Sequence, residues 1–321
     1  MIKHLKSNKI ITLFLFIICI IMILKPLTYA KCFLNGISVW ALKVLPLLFP
    51  FFVLSKLIVQ LSNRKPFNSS FKSSILTFLL SCLSGYPMGA KLILEQCKAK
   101  QLSSSKAKTM MAFCSVSGPM FMIGSVGIGF LCSYSAGIII LFSNILGAIF
   151  NGLIWNKINK KHSELPVQNK AILATPHTKN FSFSDIVYDS LISILMVGSY
   201  IALSFVLIEI CEQTHIINFL SRTIYFLSCK SVDIRTIESF IIGLIEITSG
   251  IFNLAQTQSS LIVKTIISAF LVSFGGVSIL LQNWGIISEI GISWKYILKQ
   301  KISHSIFSIL IACLLCFCFM L

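Results

Sequence analysis

This chain contains a series of apolar segments, each long enough to cross a lipid bilayer. An α-helix needs about 20 predominantly apolar residues to span the hydrocarbon core, and the chain contains at least five such runs. Of its 321 residues, 12% are charged and 56% are hydrophobic, whereas about a quarter of a soluble domain is charged. The runs predict an all-α fold, a polytopic helical bundle that is embedded in the lipid bilayer and has the bilayer as a partner.

The basic residues indicate how the bundle is oriented. The net charge is +17, and 18 of the 27 lysine and arginine residues fall in short polar segments between apolar runs. Cytoplasmic loops carry an excess of such residues, so an inside N-terminus places all of these segments in the cytoplasm. They are residues 3–9, 64–72, 98–108, 157–179 and 295–301. No contiguous basic surface is long enough to follow a phosphate backbone, and we therefore expect no binding of nucleic acid.

The N-terminal segment allows two interpretations. Lys3, Lys6 and Lys9 precede a 15-residue apolar run that ends before Lys25, and Thr28-Tyr29-Ala30 loosely resembles a signal-peptidase site. Such a pattern is compatible with a cleaved signal peptide or with a retained first helix. We favour a retained anchor followed by an external loop, together residues 1–35.

The rest of the chain repeats one order of segments. Each half contains an apolar span, a broken segment, a glycine-interrupted span and a final span. In the first half, residues 36–156, these lie at 37–60, 73–97, 110–131 and 134–155. A basic cytoplasmic loop, 157–184, leads to the second half, residues 185–321, where they lie at 185–210, 239–255, 262–281 and 304–320.

The number of crossings predicts how the two halves are related. A broken segment formed by two half-helices returns to its own side, so the first half crosses the membrane three times. An odd number of crossings inverts the second half. The sequence therefore predicts two inverted repeats with paired broken, re-entrant helices, provided that residues 215–228 lie at the interface without crossing.

Inverted repeats with discontinuous helices are typical of transporters, in which unwound backbone at mid-membrane binds the solute or ion. Four breaks are candidates for this role, and their residues form the predicted substrate-binding set. The alternative is that the glycines serve close helix packing. The set comprises Ser84, Gly85, Pro87, Gly89, Lys91, Ser115, Ser117, Gly118, Pro119, Glu246, Thr248, Ser249, Gly250, Gly275, Gly276, Ser278 and Gln282.

Glu246 is the most informative single residue of this set. A charged side chain at a helix centre costs about 2.5–3.5 kcal/mol on insertion scales, and each leucine or isoleucine returns about 0.3–0.6 kcal/mol. Glu246 should therefore have a partner or a watery cavity, unless it lies near the interface. Lys91, in the corresponding segment of the other half, could neutralise it.

Enzyme chemistry has little support in the sequence. No Ser-His-Asp, H-E-x-x-H or paired-carboxylate pattern occurs, and we predict no catalytic residue, metal site or cofactor. Cys313, Cys316 and Cys318 form a C-x-x-C-x-C string inside the last apolar run. Cysteine commonly acts as a small apolar residue, and a metal site would need additional ligands nearby.

Four ordered motifs carry a resemblance to a known family. Ser-Gly-Tyr-Pro-Met-Gly-Ala-Lys (84–91), Ser-Gly-Pro-Met-Phe-Met-Ile-Gly-Ser-Val-Gly-Ile-Gly (117–129), Gly-Leu-Ile-Glu-Ile-Thr-Ser-Gly (243–250) and Gly-Gly-Val-Ser-Ile-Leu-Leu-Gln (275–282) resemble the YlbJ family of sporulation integral membrane proteins. The resemblance covers nearly the whole chain from about residue 36. It implies a nucleoside-recognition or Gate domain, without establishing a nucleoside as the solute, and a location in mother-cell or forespore membranes.

Together these features predict a membrane protein of endospore formation that moves a small polar solute or ion. The alternative is a non-transporting membrane scaffold for assembly of the spore envelope or cortex. Either function is compatible with homo-oligomers or with other sporulation membrane proteins as partners.

Overall fold

The computed structural model describes residues 9–62, 70–99, 101–160, 182–228 and 231–319, which form helices joined by short turns, with no strand among them. The first helices are α1 Lys9–Leu24, α2 Pro26–Val39, α3 Leu45–Ser62, α4 Ser70–Ser84, α5 Met88–Lys98, α6 Ser104–Cys114, the π-helix Met120–Phe130 and α7 Tyr134–Lys160. The others are α8 Phe183–Gln213, α9 Ile216–Leu227, α10 Ile234–Ile245, α11 Ile247–Ala255, α12 Leu261–Phe274, α13 Gly276–Ile287 and α14 Trp294–Phe319.

Five helical stretches are long and apolar enough to cross a membrane: Pro26–Ile58, Tyr134–Asn159, Phe183–Gln213, Leu261–Ile290 and Trp294–Phe319. Their large apolar side chains point outward and many polar ones point inward. On α14, for example, Leu314 and Phe317 are 67% and 72% exposed, while Ser305 and Ser308 are fully buried. An inward polar face is expected when the surrounding medium is lipid. The predicted polytopic helical bundle is confirmed.

The largest apolar core joins elements from both halves of the chain. Val44, Met122, Ile140, Ile251 and Leu271 have no exposed surface and belong to one contiguous cluster. They lie on the short π-helical segment between α2 and α3, the π-helix, α7, α11 and α12. The two halves are therefore packed into one body, because they share a single core.

The N-terminal region differs from the prediction. The prediction of an external loop before residue 36 is wrong, because α2 is helical from Pro26 onward. The second span therefore does not begin at Ile37. Proline is favoured in the first turn of a helix. Tyr29 is 2% exposed, and a Cβ atom at Gly36 would lie 2.7 Å from the Ala202 Cα atom. Close packing of α2 on α8 thus extends the helix through this region.

Two helix pairs double back on themselves. In the first hairpin, α4 and α5, the Gln96 side-chain amide donates to the Thr77 hydroxyl at 2.6 Å. In the second, α10 and α11, a Cβ atom at Gly250 would lie 2.2 Å from the Gly243 Cα atom. In a continuous helix, which rises 1.5 Å per residue, the two residues of each pair would lie too far apart along the helix axis to touch. The predicted breaks in both segments are therefore present, although the second segment begins at Ile234 and not at Ser239.

The two hairpins open toward opposite ends of the bundle. The end of α5 meets the turn before α14 through an ion pair of 2.6 Å between Lys98 and Glu289. At the other end, Phe252 of α11 forms an edge-to-face pair with Phe130, with ring centroids 6.0 Å apart. Phe130 is the last residue of the π-helix, which follows α6 across the second break. Because α6 begins near Lys98, the end of the π-helix lies at the opposite end of the bundle. Such an arrangement is compatible with inverted repeats, which remain a prediction, as does re-entry from the membrane.

Several basic segments meet at the end of the bundle that carries Lys98. The hydroxyl of Tyr296 donates to Asn159 at 2.7 Å, and the Asn159 amide donates to Thr109 at 2.8 Å. The starts of α6 and α14 and the end of α7 therefore lie together. The segment 295–301 was expected to be a loop, but it forms the first turns of α14. Residues 3–8, 64–69 and 161–181 lie outside the described residues.

Helix α9 is too short to cross a membrane. Its 12 residues extend about 18 Å, against a hydrocarbon core of about 30 Å. Its length is compatible with the prediction that residues 215–228 do not cross. Their placement at the interface remains a prediction.

Candidate binding site

The first break lies at the tip of the hairpin formed by α4 and α5. Gly85 has a φ of +70°, in the left-handed region that favours glycine. A Cβ atom there would lie 2.4 Å from the backbone nitrogen of Gly118. Glycine at position 85 therefore permits both the sharp turn and the close approach of the second break.

The second break separates α6 from the π-helix. Residues 115–118 are not helical, and Ser115 accepts a hydrogen bond of 3.2 Å from the Asn283 side chain. A Cβ atom at Gly118 would meet Gly85 at an ordinary contact distance of 3.7 Å. The first two breaks thus face each other, and α13 holds the second through Asn283.

The third break is a single extended residue, Glu246, at the tip of the second hairpin. Its side chain is 4% exposed and caps α11, accepting from the backbone of Thr248 at 3.0 Å and of Ser249 at 2.7 Å. The Ser249 hydroxyl also donates to it at 2.8 Å. A carboxylate is stabilised at a helix N-terminus by the unpaired N–H groups and the helix dipole. The buried charge therefore has a partner within its own hairpin.

The expectation that Lys91 neutralises Glu246 is wrong. The carboxylate is held by the N-terminus of α11, whereas Lys91 lines a separate, neighbouring pocket together with Lys56 and Ser193. The physical reason is that the tips of the two hairpins, and not their matching helical turns, face a common pocket. Lys91 lies a turn away from its tip, on the side facing α3 and α8.

The fourth break separates α12 from α13. Gly275 and Gly276 have φ values of +85° and +66°, a conformation that costs glycine least. A Cβ atom at Gly276 would lie 3.0 Å from the Ile245 carbonyl oxygen. The fourth break is therefore packed against the third, and the helix resumes with Ser278 and Gln282 on successive turns.

The first three breaks, together with α13, which follows the fourth break, line one pocket. It encloses about 620 Å³, including its open mouth. Eight residues of the predicted set line it: Ser84, Gly85, Ser117, Gly118, Glu246, Thr248, Ser278 and Gln282. Its remaining walls are aromatic and aliphatic and come mainly from α3 and α8, among them Phe51, Phe52 and Tyr200.

The other nine predicted residues lie outside this pocket. Gly89 and Gly250 serve close packing, since a Cβ atom at either would lie 2.2 Å from a neighbouring backbone atom. Pro87 and Lys91 line the neighbouring pocket. The remaining five lie at or beside the breaks without lining the pocket: Ser115, Pro119, Ser249, Gly275 and Gly276.

One polar group in the pocket lacks a hydrogen-bond partner among the described residues. The Ser84 hydroxyl is 4% exposed, belongs to the lining of both pockets and makes no hydrogen bond in the described part of the chain. An unsatisfied buried hydroxyl costs roughly 1–3 kcal/mol. A polar atom placed in the pocket would remove this cost.

Sequence reasoning missed Lys301, which is 1% exposed and lies beside the breaks. Its ammonium group donates to the Ser115 carbonyl oxygen at 3.0 Å and contacts the Tyr86 hydroxyl. A signal was present. The polar residues Gln300, Lys301, His304, Ser305 and Ser308 recur on one face of a helix, which indicates an amphipathic helix with a buried polar stripe. Assigning 295–301 to a loop concealed this pattern.

The fold and the pocket define a polytopic α-helical membrane protein with discontinuous helices around a site in the middle of the bundle. The chain is 28% identical over 314 residues to the sporulation integral membrane protein YlbJ of Bacillus subtilis (strain 168), covering 88% of this chain and 76% of that protein. No protein-family model and no solved structure matches the chain.

This similarity supports the predicted membership of the YlbJ family. Together with the five candidate spans, it supports a multi-pass integral membrane protein of sporulation. Nucleoside recognition and the Gate domain remain implications of the sequence resemblance alone.

Proposed function

We propose that this protein is a transporter or permease for a small polar solute or ion across a spore-associated membrane. One observation carries the proposal: helix breaks from both halves of the chain meet at one pocket that contains a buried carboxylate. A bundle that served only as a scaffold would not need four breaks at one place. Continuous helices satisfy their own backbone groups at lower cost.

The breaks supply the polar groups that binding requires. Each helix end leaves backbone N–H or C=O groups without partners inside the helix. Within a membrane such groups are tolerated where they are buried in protein or line a cavity. The Ser84 hydroxyl, the Glu246 carboxylate and the Gln282 amide add side-chain groups to the same pocket. These features support the binding of a small polar solute or ion.

The opposite entry of the two hairpins supports movement through the site. Ser84 to Tyr86 at the tip of one hairpin and Glu246 to Thr248 at the tip of the other line the same pocket. In transporters built from paired repeats, one repeat rocks or gates against the other around a fixed site. A relative movement of the two hairpins would open this pocket toward one end of the bundle at a time.

The test is a comparison of metabolite and ion content between spores with and without the protein. We expect one solute to be depleted in spores that lack it. The depleted compound, radiolabelled, should then enter vesicles containing the purified protein faster than protein-free vesicles. Unchanged solute content with a defective cortex would refute transport and support the scaffold alternative.

A further inference from the structure

A buried lysine links three of the four breaks to α14. The ammonium group of Lys301 donates to the carbonyl oxygen of Ser115 in the second break, at 3.0 Å. It contacts the hydroxyl of Tyr86 in the first break and lies 4.5 Å from the centre of the Tyr86 ring. A Cβ atom at Gly275, in the fourth break, would lie 3.6 Å from the Lys301 Cε atom.

The surroundings of this group resemble those of a bound cation. Ser115 directly follows α6, where carbonyl groups lack helical partners and carry the negative end of the helix dipole. The face of an aromatic ring also attracts cations. Among the described residues, no carboxylate lies within 4.0 Å of this ammonium group. His304, one turn further on, is hydrogen-bonded to the Asn144 carbonyl of α7 at 2.9 Å.

We propose that Lys301 is a tethered cation, whose ammonium group fills a monovalent-cation site formed by the Ser115 carbonyl oxygen and the Tyr86 hydroxyl. Transporters with broken helices place mobile ions against such unwound carbonyls. A tethered charge holds the same breaks together without leaving the protein. A role of Lys301 in transport rests on the proposed function. The proposal implies that movement of the solute requires no bound sodium or potassium ion at this position.

The first test is chemical rescue of Lys301→Ala. This substitution removes three methylene groups and the ammonium group, so propylammonium has the matching shape. We expect the melting temperature of the purified variant in detergent to rise by about 2 °C or more in propylammonium chloride. Equal concentrations of choline chloride or 1-propanol should give no such rise. Equal stabilisation by propanol and propylammonium, or no stabilisation by either, would overturn the cation site.

Lys264→Ala is the matched control. The Lys264 ammonium group also donates to a carbonyl oxygen at a helix end, that of Ala255 at 2.8 Å, but both residues are only partly buried, whereas Lys301 is fully enclosed. Because this hydrogen bond is less enclosed, propylammonium should not stabilise the Lys264→Ala variant. Rescue of both variants to the same extent would show a general effect of the amine, and would also overturn the proposal.

The second test separates charge from packing. Lys301→Met approximately keeps the volume of the side chain but removes the donor to the Ser115 carbonyl oxygen. We expect normal protein levels, a melting temperature below that of the wild type because this buried acceptor loses its partner, and loss of the solute from spores. Wild-type solute content in this variant would refute a role of the Lys301 ammonium group in transport. This outcome can be read even if Lys301→Ala fails to fold. If spores without the protein retain every solute, the proposed transport fails, and the propylammonium measurement still decides the cation site.

Discussion

Replacement of Gly250 by alanine tests the packing of the second hairpin. In the structure Gly250 belongs to α11, and a Cβ atom there would lie 2.2 Å from the Cα atom and 2.4 Å from the nitrogen of Gly243. These are backbone atoms of α10, which cannot rotate away. To reach a contact of 3.4 Å, the two helices would have to separate by about 1.2 Å at their closest point.

Two opposing effects determine the size of the change. Alanine stabilises a helix by roughly 1 kcal/mol relative to glycine. Overpacking in a dense core costs about 1–3 kcal/mol, and sometimes more. Because the clash is between two backbones, we expect a cost at or above the upper end of that range. The net result is a loss of about 2 kcal/mol, which lowers the melting temperature by about 4–8 °C.

The assay is thermal denaturation of the purified protein in detergent, with Gly118→Ala as the matched control. A Cβ atom at Gly118 would find its nearest neighbours at 3.7 Å, an ordinary contact. The control should therefore melt within about 2 °C of the wild type, corresponding to a stability change below 1 kcal/mol. A melting temperature of Gly250→Ala equal to or above that of the wild type would show that α10 and α11 are not in close contact, and the hairpin geometry would be refuted.

Three further predictions concern the pocket and the orientation of the chain. Gly118→Ala adds a methyl group to the pocket lining, so spores carrying this variant should contain less of the transported solute at normal protein abundance. Normal solute content would show that Gly118 is not part of the binding site. Glu246→Gln loses the charge and part of the cap on α11, at about 1 kcal/mol, and should abolish solute accumulation while the protein still inserts. Wild-type solute accumulation in this variant would show that Glu246 serves only to cap α11. Single cysteines at 157–179 and at Lys295, in a cysteine-free background, should be shielded from an impermeant thiol reagent in intact cells. Labelling of either from outside would refute the inverted-repeat scheme, which places both segments in the cytoplasm.

The breaks were predictable because their causes are local. Glycine pairs and prolines do not continue a helix readily, so Gly85 with Pro87 and Gly275 with Gly276 identify the turns directly in the sequence. The third break was placed less accurately. The predicted break includes Glu246, Thr248, Ser249 and Gly250, whereas the chain turns at Glu246 alone and the other three residues already form part of α11. A glycine within a helix and a glycine in a turn look alike in a sequence.

The partners of the buried charged groups were not predictable for a different reason. The pairing of Glu246 with Lys91 assumed that charged groups in matching segments meet. The carboxylate is instead satisfied by the first turn of its own helix. Because Lys301 belongs to the basic segment 295–301, the sequence predicts a cytoplasmic position for it, yet it is buried beside three breaks.

Local properties of the amino-acid sequence are enough to establish a helical membrane bundle and the approximate positions at which its helices are interrupted. Hydropathy and local backbone preference act within a window of about 20 residues, and the bilayer requires helices to satisfy their own backbone groups. Packing of the helices establishes which residues line the pocket, that Glu246 caps α11, and that Lys301 is buried inside the bundle. These outcomes depend on contacts between residues far apart in the chain, such as Lys301 with Ser115 and Tyr86, which no local pattern specifies.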